Sequence, residues 1–477
     1  MAAKKQIAYI VLAVVIIAAF FLRFNNISSE TYGYGEIELK QAADEYLRGN
    51  FVNNFYIFDT PPFSKYIFAA SIAVLGSTEF ALRIIPLIFG ILTIAAVFFA
   101  ARRMYNEKIA LLAAVITAFS MLQVEFSRYA QLETMLSFFY VLTAYFLWEK
   151  VHDSKKYTTL LLGVVLGLSV AIKFTSLIIV VAAAAYLIYT RQIKFSIKPS
   201  SVTIKNWIWK ALAVSIVVFC ISWPFGFSTL HTEADISVDY GGTIREQHIE
   251  SNVPLMFLSL VRRGFTSVGD DVSYPLAMSV PFVNYLLLFI VKESLLVLLM
   301  LIAGVYFIAK KPMKQDALII TFVVVFLALL AFQRTSISYR HVTPLVPFLA
   351  IIASRWLYGI KNKWHYPLIA AAAVVMLAYA LLTPSYALSY NPLKQPLGII
   401  DSEHRFAEGM RETIDFVKEN CTGVSTSNYY AFMMQPYFAN TSGGDCAVVA
   451  AGTAVENCTL SETVSKSSVR LIDIYKC

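Results

Sequence analysis

The chain has 477 residues, 58% of them hydrophobic and 15% charged, with a formal net charge of +8. A soluble domain carries about 45–50% apolar and about 25% charged residues, so an ordinary water-soluble globule is excluded. The apolar excess falls in separate runs of about 20 residues, the length that spans a bilayer, and a positive balance on such a chain reports topology and lipid contact rather than nucleic acid.

Lys4 and Lys5 precede the apolar run Ile7–Phe21, and only Arg23-Phe24-Asn25 follows it, with no small-residue cleavage site. It reads as a retained first span. Eleven spans are predicted, near 6–22, 84–101, 109–124, 131–148, 158–172, 175–190, 208–224, 288–309, 316–332, 343–359 and 366–383. Long continuous runs of this kind form helices, because lipid offers the backbone no hydrogen-bond partner. Alternate loops are basic: Arg102, Arg103 and Lys108; Lys150, Lys155 and Lys156; Arg191 through Lys210; Lys310, Lys311 and Lys314; Lys361 and Lys363. Together with the N-terminus they face the cytoplasm, which turns the other loops and the C-terminus outward. The expected fold is an all-α polytopic membrane domain over 1–385, with long outward loops at 23–83 and 225–280, then a small extracytoplasmic α/β domain over 386–477.

That tail holds an amphipathic stretch, Phe406–Lys418, and β-like runs at Ala447–Ala451 and Val469–Tyr475. Four of the five cysteines, Cys421, Cys446, Cys458 and Cys477, cluster there and predict disulfides in an oxidising compartment, with three pairings open. Asn420-Cys421-Thr422, Asn440-Thr441-Ser442 and Asn457-Cys458-Thr459 fit the glycosylation pattern and agree with an outward tail.

Five outward clusters carry polar groups at the membrane edge. In Tyr32-Gly33-Tyr34-Gly35-Glu36-Ile37-Glu38, Glu36 lies near a helix start, where a carboxylate is favoured. It is a candidate base for an acceptor hydroxyl, or merely a helix-start acid. Asp59, in Phe58-Asp59-Thr60-Pro61-Pro62-Phe63-Ser64-Lys65, is a candidate site acid or a helix cap. The stretch from Glu125 to Glu133 places Arg128 and Glu133 at the edge, where Arg128 can take a phosphate or anchor the interface. Lys173 occupies a very short turn and either snorkels or meets a phosphate. Tyr339, Arg340 and His341, followed by Pro344, suit an anionic headgroup or an ordinary basic interface. Jointly these carboxylates and cations would ring one outward cavity.

The order and content of the clusters resemble the GT-C glycosyltransferases, above all protein O-mannosyltransferases and aminoarabinose transferases. Gly35-Glu36 stands where that family carries an Asp-Glu pair, and Asp59-Thr60-Pro61-Pro62 resembles its His-Pro-Pro segment with Thr60 for His. Leu82-Arg83-Ile84-Ile85-Pro86 resembles its Leu-Arg-x-x-Pro motif, and Ser127-Arg128 through Glu133 its Ser-Arg…Leu-Asp motif with Glu133 for Asp. Lys173 and Tyr339-Arg340-His341 resemble its later basic motifs. The likeness covers roughly residues 1–390.

The resemblance implies an inverting transferase that moves mannose, or a similar hexose or pentose, from a polyprenyl- or dolichyl-phosphate carrier to a protein, glycan or lipid acceptor outside. Glu36 and Asp59 would be catalytic, while Arg128, Glu133, Lys173, Tyr339, Arg340 and His341 would hold the substrate and its phosphate. It implies no cofactor; no metal motif is visible, and a divalent metal stays open. Gly35 departs from the pattern, since the family's first acid is its expected base. Glu36 or Asp59 takes over, or the chain is a non-catalytic relative. A transporter is the other alternative, although no internal repeat is found. The expected location is a prokaryotic plasma membrane, archaeal by preference, or the endoplasmic reticulum.

Overall fold

The computed structural model describes residues 2–49, 60–153, 155–195, 202–223, 234–239, 244–249, 281–332, 339–383, 392, 410–422, 424–426, 442–443, 445–450, 455, 458–466 and 469–477. Helix α1 (Ala2–Phe24) leads into two shorter helices that pack on each other, α2 (Tyr34–Leu47) and α3 (Pro62–Leu75). Then come α4 (Glu79–Met104), α5 (Glu107–Phe119), the short α6 (Met121–Phe126), α7 (Glu133–His152), α8 (Lys156–Ile172), α9 (Leu177–Tyr189) and α10 (Asn206–Ser222). After them stand α11 (Pro281–Lys292), α12 (Leu295–Lys310), α13 (Lys314–Phe332), α14 (Val346–Ser354) and α15 (His365–Leu382).

Helical structure occupies each predicted span, and three spans are broken. Ser120 ends α5 and caps α6 by accepting the Gln123 N–H. Ser294 caps α12 in the same way through Val297. The span after residue 339 is a 3-10 turn (Tyr339–Leu345), α14, and a second 3-10 turn (Arg355–Gly359). Among the described residues, four helical segments are long and apolar enough to cross a membrane by themselves: Gln6–Phe24, Glu79–Met104, Arg340–Gly359 and Asn362–Leu382. Tyr157–Ile172, Asn206–Ser222 and Leu295–Lys310 are shorter apolar helices. Ile10, Phe21, Leu299 and Leu382 turn large apolar side chains outward, an arrangement suited to lipid and costly in water.

Close helix contacts use small residues. A Cβ on Gly163 or Gly167 of α8 would come within 2.6 Å of the Ala211 or Ser215 carbonyl oxygen of α10. The two helices therefore meet backbone to backbone along a Gly-x-x-x-Gly seam.

Two small antiparallel ribbons lie between helices: β1 (Ile193–Phe195) with β2 (Val202–Ile204), and β3 (Ala234–Asp239) with β4 (Ile244–Ile249). In the tail, α16 (Met410–Asn420) buries Met410, Ile414 and Val417. Strands β5 (Val424–Thr426), β6 (Ser442–Gly443), β7 (Cys446–Ala450), β8 (Thr459–Lys466) and β9 (Val469–Lys476) form one sheet in the order β6-β5-β7-β9-β8. Among the described residues, β5 and β7 run parallel and the other pairs antiparallel. The disulfides are Cys421–Cys446, joining the end of α16 to β7, and Cys458–Cys477, joining the start of β8 to the end of β9. Of the three sequons, Asn420 is exposed, while Asn440 and Asn457 lie outside the described residues.

Candidate active site

Glu36 is the third residue of α2, and its carboxylate turns back to accept the Gly33 N–H at 2.9 Å. Arg83, near the start of α4, grips the same carboxylate with two donors: Nε to Oε1 at 2.8 Å and Nη2 to Oε2 at 2.7 Å. The Ala130 N–H adds a bond to Oε1 at 2.7 Å. Arg83 spends its other donors on the carbonyls of Ile27, Glu30 and Thr31. Both side chains are 1% exposed. A buried ion pair is tolerated when its hydrogen-bonding capacity is filled, and here both partners meet that condition. A general base needs a lone pair directed at the proton it removes. Both Glu36 oxygens are instead committed to protein donors, which makes Glu36 a clamp on Arg83 in this geometry.

Gly35 precedes it, and a Cβ there would meet the Gln131 side-chain nitrogen at 2.9 Å. The space in which the family's first acid would begin is bordered by an amide. Asp59 lies outside the described residues. The helix it precedes opens with Pro62 and carries the fully buried Lys65, whose Nζ donates to the Thr60 carbonyl at 3.1 Å.

Arg128 faces α1. Its Nη1 donates to the carbonyls of Leu22, Arg23 and Asn25, and its Nη2 to that of Asn26. The Leu22 and Arg23 carbonyls belong to the last turn of α1, where a cation is also favoured by the helix dipole, and those of Asn25 and Asn26 to the turn that follows. The side chain expected on a phosphate is thus engaged by backbone.

Glu133, Lys173 and His341 are brought together. Glu133 opens α7, Lys173 closes α8, and the Lys173 Nζ lies 3.3 Å from Glu133 Oε1. With His341 and Tyr140 they line a narrow cavity of about 40 Å³, whose apolar wall includes Ile178, Phe326 and Leu330. Glu133 Oε2 has no hydrogen-bond partner among the described residues. Arg340 is half-buried beside His341, while Tyr339 is placed by its backbone alone, its side chain lying outside the described residues. Gln123 fixes this turn by donating to the Thr343 carbonyl at 2.9 Å and to Ser137 Oγ at 3.1 Å. The loop from Ser127 to Leu132 joins the two constellations: Arg128 reaches α1, Ala130 reaches Glu36, and Glu133 follows directly.

The helical part also buries ionisable groups to which the sequence reading gave no role. Lys292 and Glu125, both fully buried, pair at 3.1 Å. Glu293 accepts from Ser120 Oγ and from the Leu122 N–H. Adjacent Lys292-Glu293 inside an apolar run was the available signal, because ionisable groups within a span face protein or a wet cavity.

Residues 59–223 match the family model for dolichyl-phosphate-mannose-protein mannosyltransferases. A search of curated protein sequences finds no match. Among solved structures, ArnT from Cupriavidus metallidurans bound to undecaprenyl phosphate is similar over 98% of this chain and 98% of its own, with a TM-score of 0.55 and 12% identity. The archaeal oligosaccharyltransferase AglB from Archaeoglobus fulgidus, in complex with an inhibitory peptide and a dolichol-phosphate, is similar with a TM-score of 0.54 and 14% identity. That match covers 87% of this chain and 58% of AglB, so the chain spans little more than half of AglB's length. At such identities the likeness is one of fold, which this chain shares with ArnT and AglB.

Proposed function

We propose that this multi-pass membrane protein of GT-C fold transfers a sugar from a polyprenyl- or dolichyl-phosphate carrier to an acceptor hydroxyl on the extracytoplasmic side. The observation that carries the reading is the Glu133–Lys173–His341 cavity with its apolar wall: an ammonium and an imidazole for a phosphate beside apolar side chains for the start of an isoprenoid chain. That ArnT was solved with undecaprenyl phosphate and AglB with a dolichol-phosphate supports it.

In this mechanism the acceptor oxygen attacks the anomeric carbon from the face opposite the phosphate. The bond from that carbon to the phosphate oxygen breaks, the lipid phosphate leaves, and the sugar carbon is inverted. Charge grows on the leaving phosphate, and Lys173, His341 and Arg340 stabilise it there. Glu133 orients Lys173. Asp59 takes the acceptor proton, since Glu36 has no oxygen to spare. Arg128 and Glu36 shape the loop that delivers Glu133.

The test is mass-spectrometric detection of transfer by the purified protein from a panel of lipid-phosphate sugars. Lys173→Gln and Asp59→Asn are each expected to lower turnover about 100-fold or more, with the thermal unfolding temperature of Asp59→Asn unchanged. Full turnover in both variants would remove the proposed roles. Gly35 and the saturated Glu36 also suit a non-catalytic relative, which would bind the carrier lipid and yield no product with any donor. Solute uptake into proteoliposomes without glycosyl product would instead indicate a transporter.

A further inference from the structure

Helix α5 runs from near the candidate active site to the other end of the bundle, where a larger cavity of about 330 Å³ opens. It forms where the starts of α5 and α15 meet the 3-10 turn Arg355–Gly359, and Asn106, Glu107, Lys108, Leu357, Tyr358 and His365 line it.

Several of its polar groups are already committed. Asn106 caps α5 by accepting the N–H groups of Lys108 and Ile109, and donates Nδ2 to Tyr358 Oη at 3.2 Å. The Arg355 guanidinium stacks on the Tyr358 ring, 4.6 Å from its centroid, and is neutralised by a two-point pair with Asp316. Tyr358 is therefore held rigidly. Glu107 accepts from Tyr366 Oη at 3.1 Å.

Three groups keep hydrogen-bonding capacity to spare. Lys108 is half-buried with its Nζ 5.8 Å from the Tyr366 ring centroid, a partner that carries no net charge, and has no carboxylate within ion-pair distance among the described residues. A partly desolvated cation without a counter-charge is costly. Tyr358 accepts from Asn106 and keeps its own O–H to donate. His365 contacts the Ile360 carbonyl through Nε2 at 2.9 Å, while its buried Nδ1 has no partner. With Nε2 as the donor, Nδ1 is an acceptor. The N-terminal ends of two helices add positive dipole ends. Exposed Trp364, with Lys310, Lys311, Lys361 and Lys363, belongs to the same end, the composition of a cytoplasmic membrane interface.

We propose that this cavity binds the headgroup of an anionic, hydroxyl-bearing phospholipid of the cytoplasmic leaflet. Lys108 and the Tyr358 O–H meet the phosphate, His365 Nδ1 accepts from the headgroup hydroxyl, and Leu357 and Ile109 flank the first methylenes. The Glu107 carboxylate opposes a doubly charged ion, which favours a singly charged phosphodiester over inorganic phosphate.

The proposal does not depend on the transfer reaction, and binding alone tests it. The purified full-length protein in detergent is titrated with phosphatidylglycerol, phosphatidylcholine or inorganic phosphate, read by native mass spectrometry and thermal unfolding. Phosphatidylglycerol is expected to be retained and to raise the unfolding temperature, with phosphatidylcholine and phosphate without effect. Lys108→Gln should weaken phosphatidylglycerol binding about tenfold, the loss of one charge-assisted contact. Tyr358→Phe, which leaves the charge in place, should weaken it severalfold, and Arg102→Gln, a cation outside the cavity, should not. Equal binding of the two lipids, or wild-type affinity in both cavity variants, overturns the site. Equal stabilisation by inorganic phosphate overturns the lipid assignment.

Discussion

Glu36 and Arg83 place in the candidate site a carboxylate whose two oxygens are already hydrogen-bonded. The pair is buried, bidentate and shared with two backbone N–H groups. Removing one partner of such a pair strands the other charge and costs about 3–5 kcal/mol. Glu36→Gln is therefore expected to lower the unfolding temperature by several degrees, measured on the purified protein, and to reduce turnover through the displaced loop. A catalytic base gives the other pattern, lost turnover with unchanged stability. The distinction was not legible in the sequence. The Gly33-to-Glu36 spacing suggests a capped helix start, but the grip comes from Arg83, 47 residues on, and from Ala130, 94 residues on. Arg128 belongs to the same class: its type and place at the membrane edge were readable, whereas its carbonyl partners on α1 were not.

Among elements, the contact of α8 with α10 depends on glycine rather than on apolar bulk. The driving force for helix association in lipid is close packing, because the surrounding chains are as apolar as leucine. Gly167→Leu would drive a side chain into the Ser215 carbonyl, which a Cβ alone already approaches to 2.6 Å. The backbones must separate, and overpacking of this kind costs at least about 1–3 kcal/mol. The expected outcome is loss of the monodisperse peak on size exclusion, or a markedly lower unfolding temperature. A leucine at Gly49, which has open space around it but a positive φ of 84°, tests backbone strain instead of packing. The helical positions were legible because hydropathy is local. The breaks at Ser120 and Glu293-Ser294 were not, since they arise where Ser120 and Glu293, far apart in sequence, bond to each other.

For the molecule as a whole, the tail is tied to the helical part by Arg411 of α16. It donates to the carbonyls of Ser28, Ser29 and Glu30 and pairs with Glu79 at 3.1 Å. Arg83, Arg128 and Arg411 thus gather on the turn after α1, each taking different carbonyls or sharing Glu30. The Arg411 pair is partly exposed, so its net worth is at most about 1 kcal/mol. Arg411→Ala should leave the unfolding temperature of the helical part almost unchanged while trypsin releases the tail severalfold faster. Equal cleavage rates would show that Arg411 does not hold the tail.

The amino-acid order by itself determined that the chain is a membrane protein, where its helices stand and that its charged motifs recur at the helix ends. Each of those is a statement about neighbours in sequence, fixed by the apolarity of about 20 consecutive residues. Only the tertiary structure decided which charges are spent and which remain: Glu36 closed by Arg83, Lys292 by Glu125, and Glu133 left with one open oxygen beside Lys173. It also chose one cysteine pairing out of three. The physical reason is that an ion pair or a disulfide is a short-range contact, and the fold, not the spacing along the chain, sets which groups come within reach.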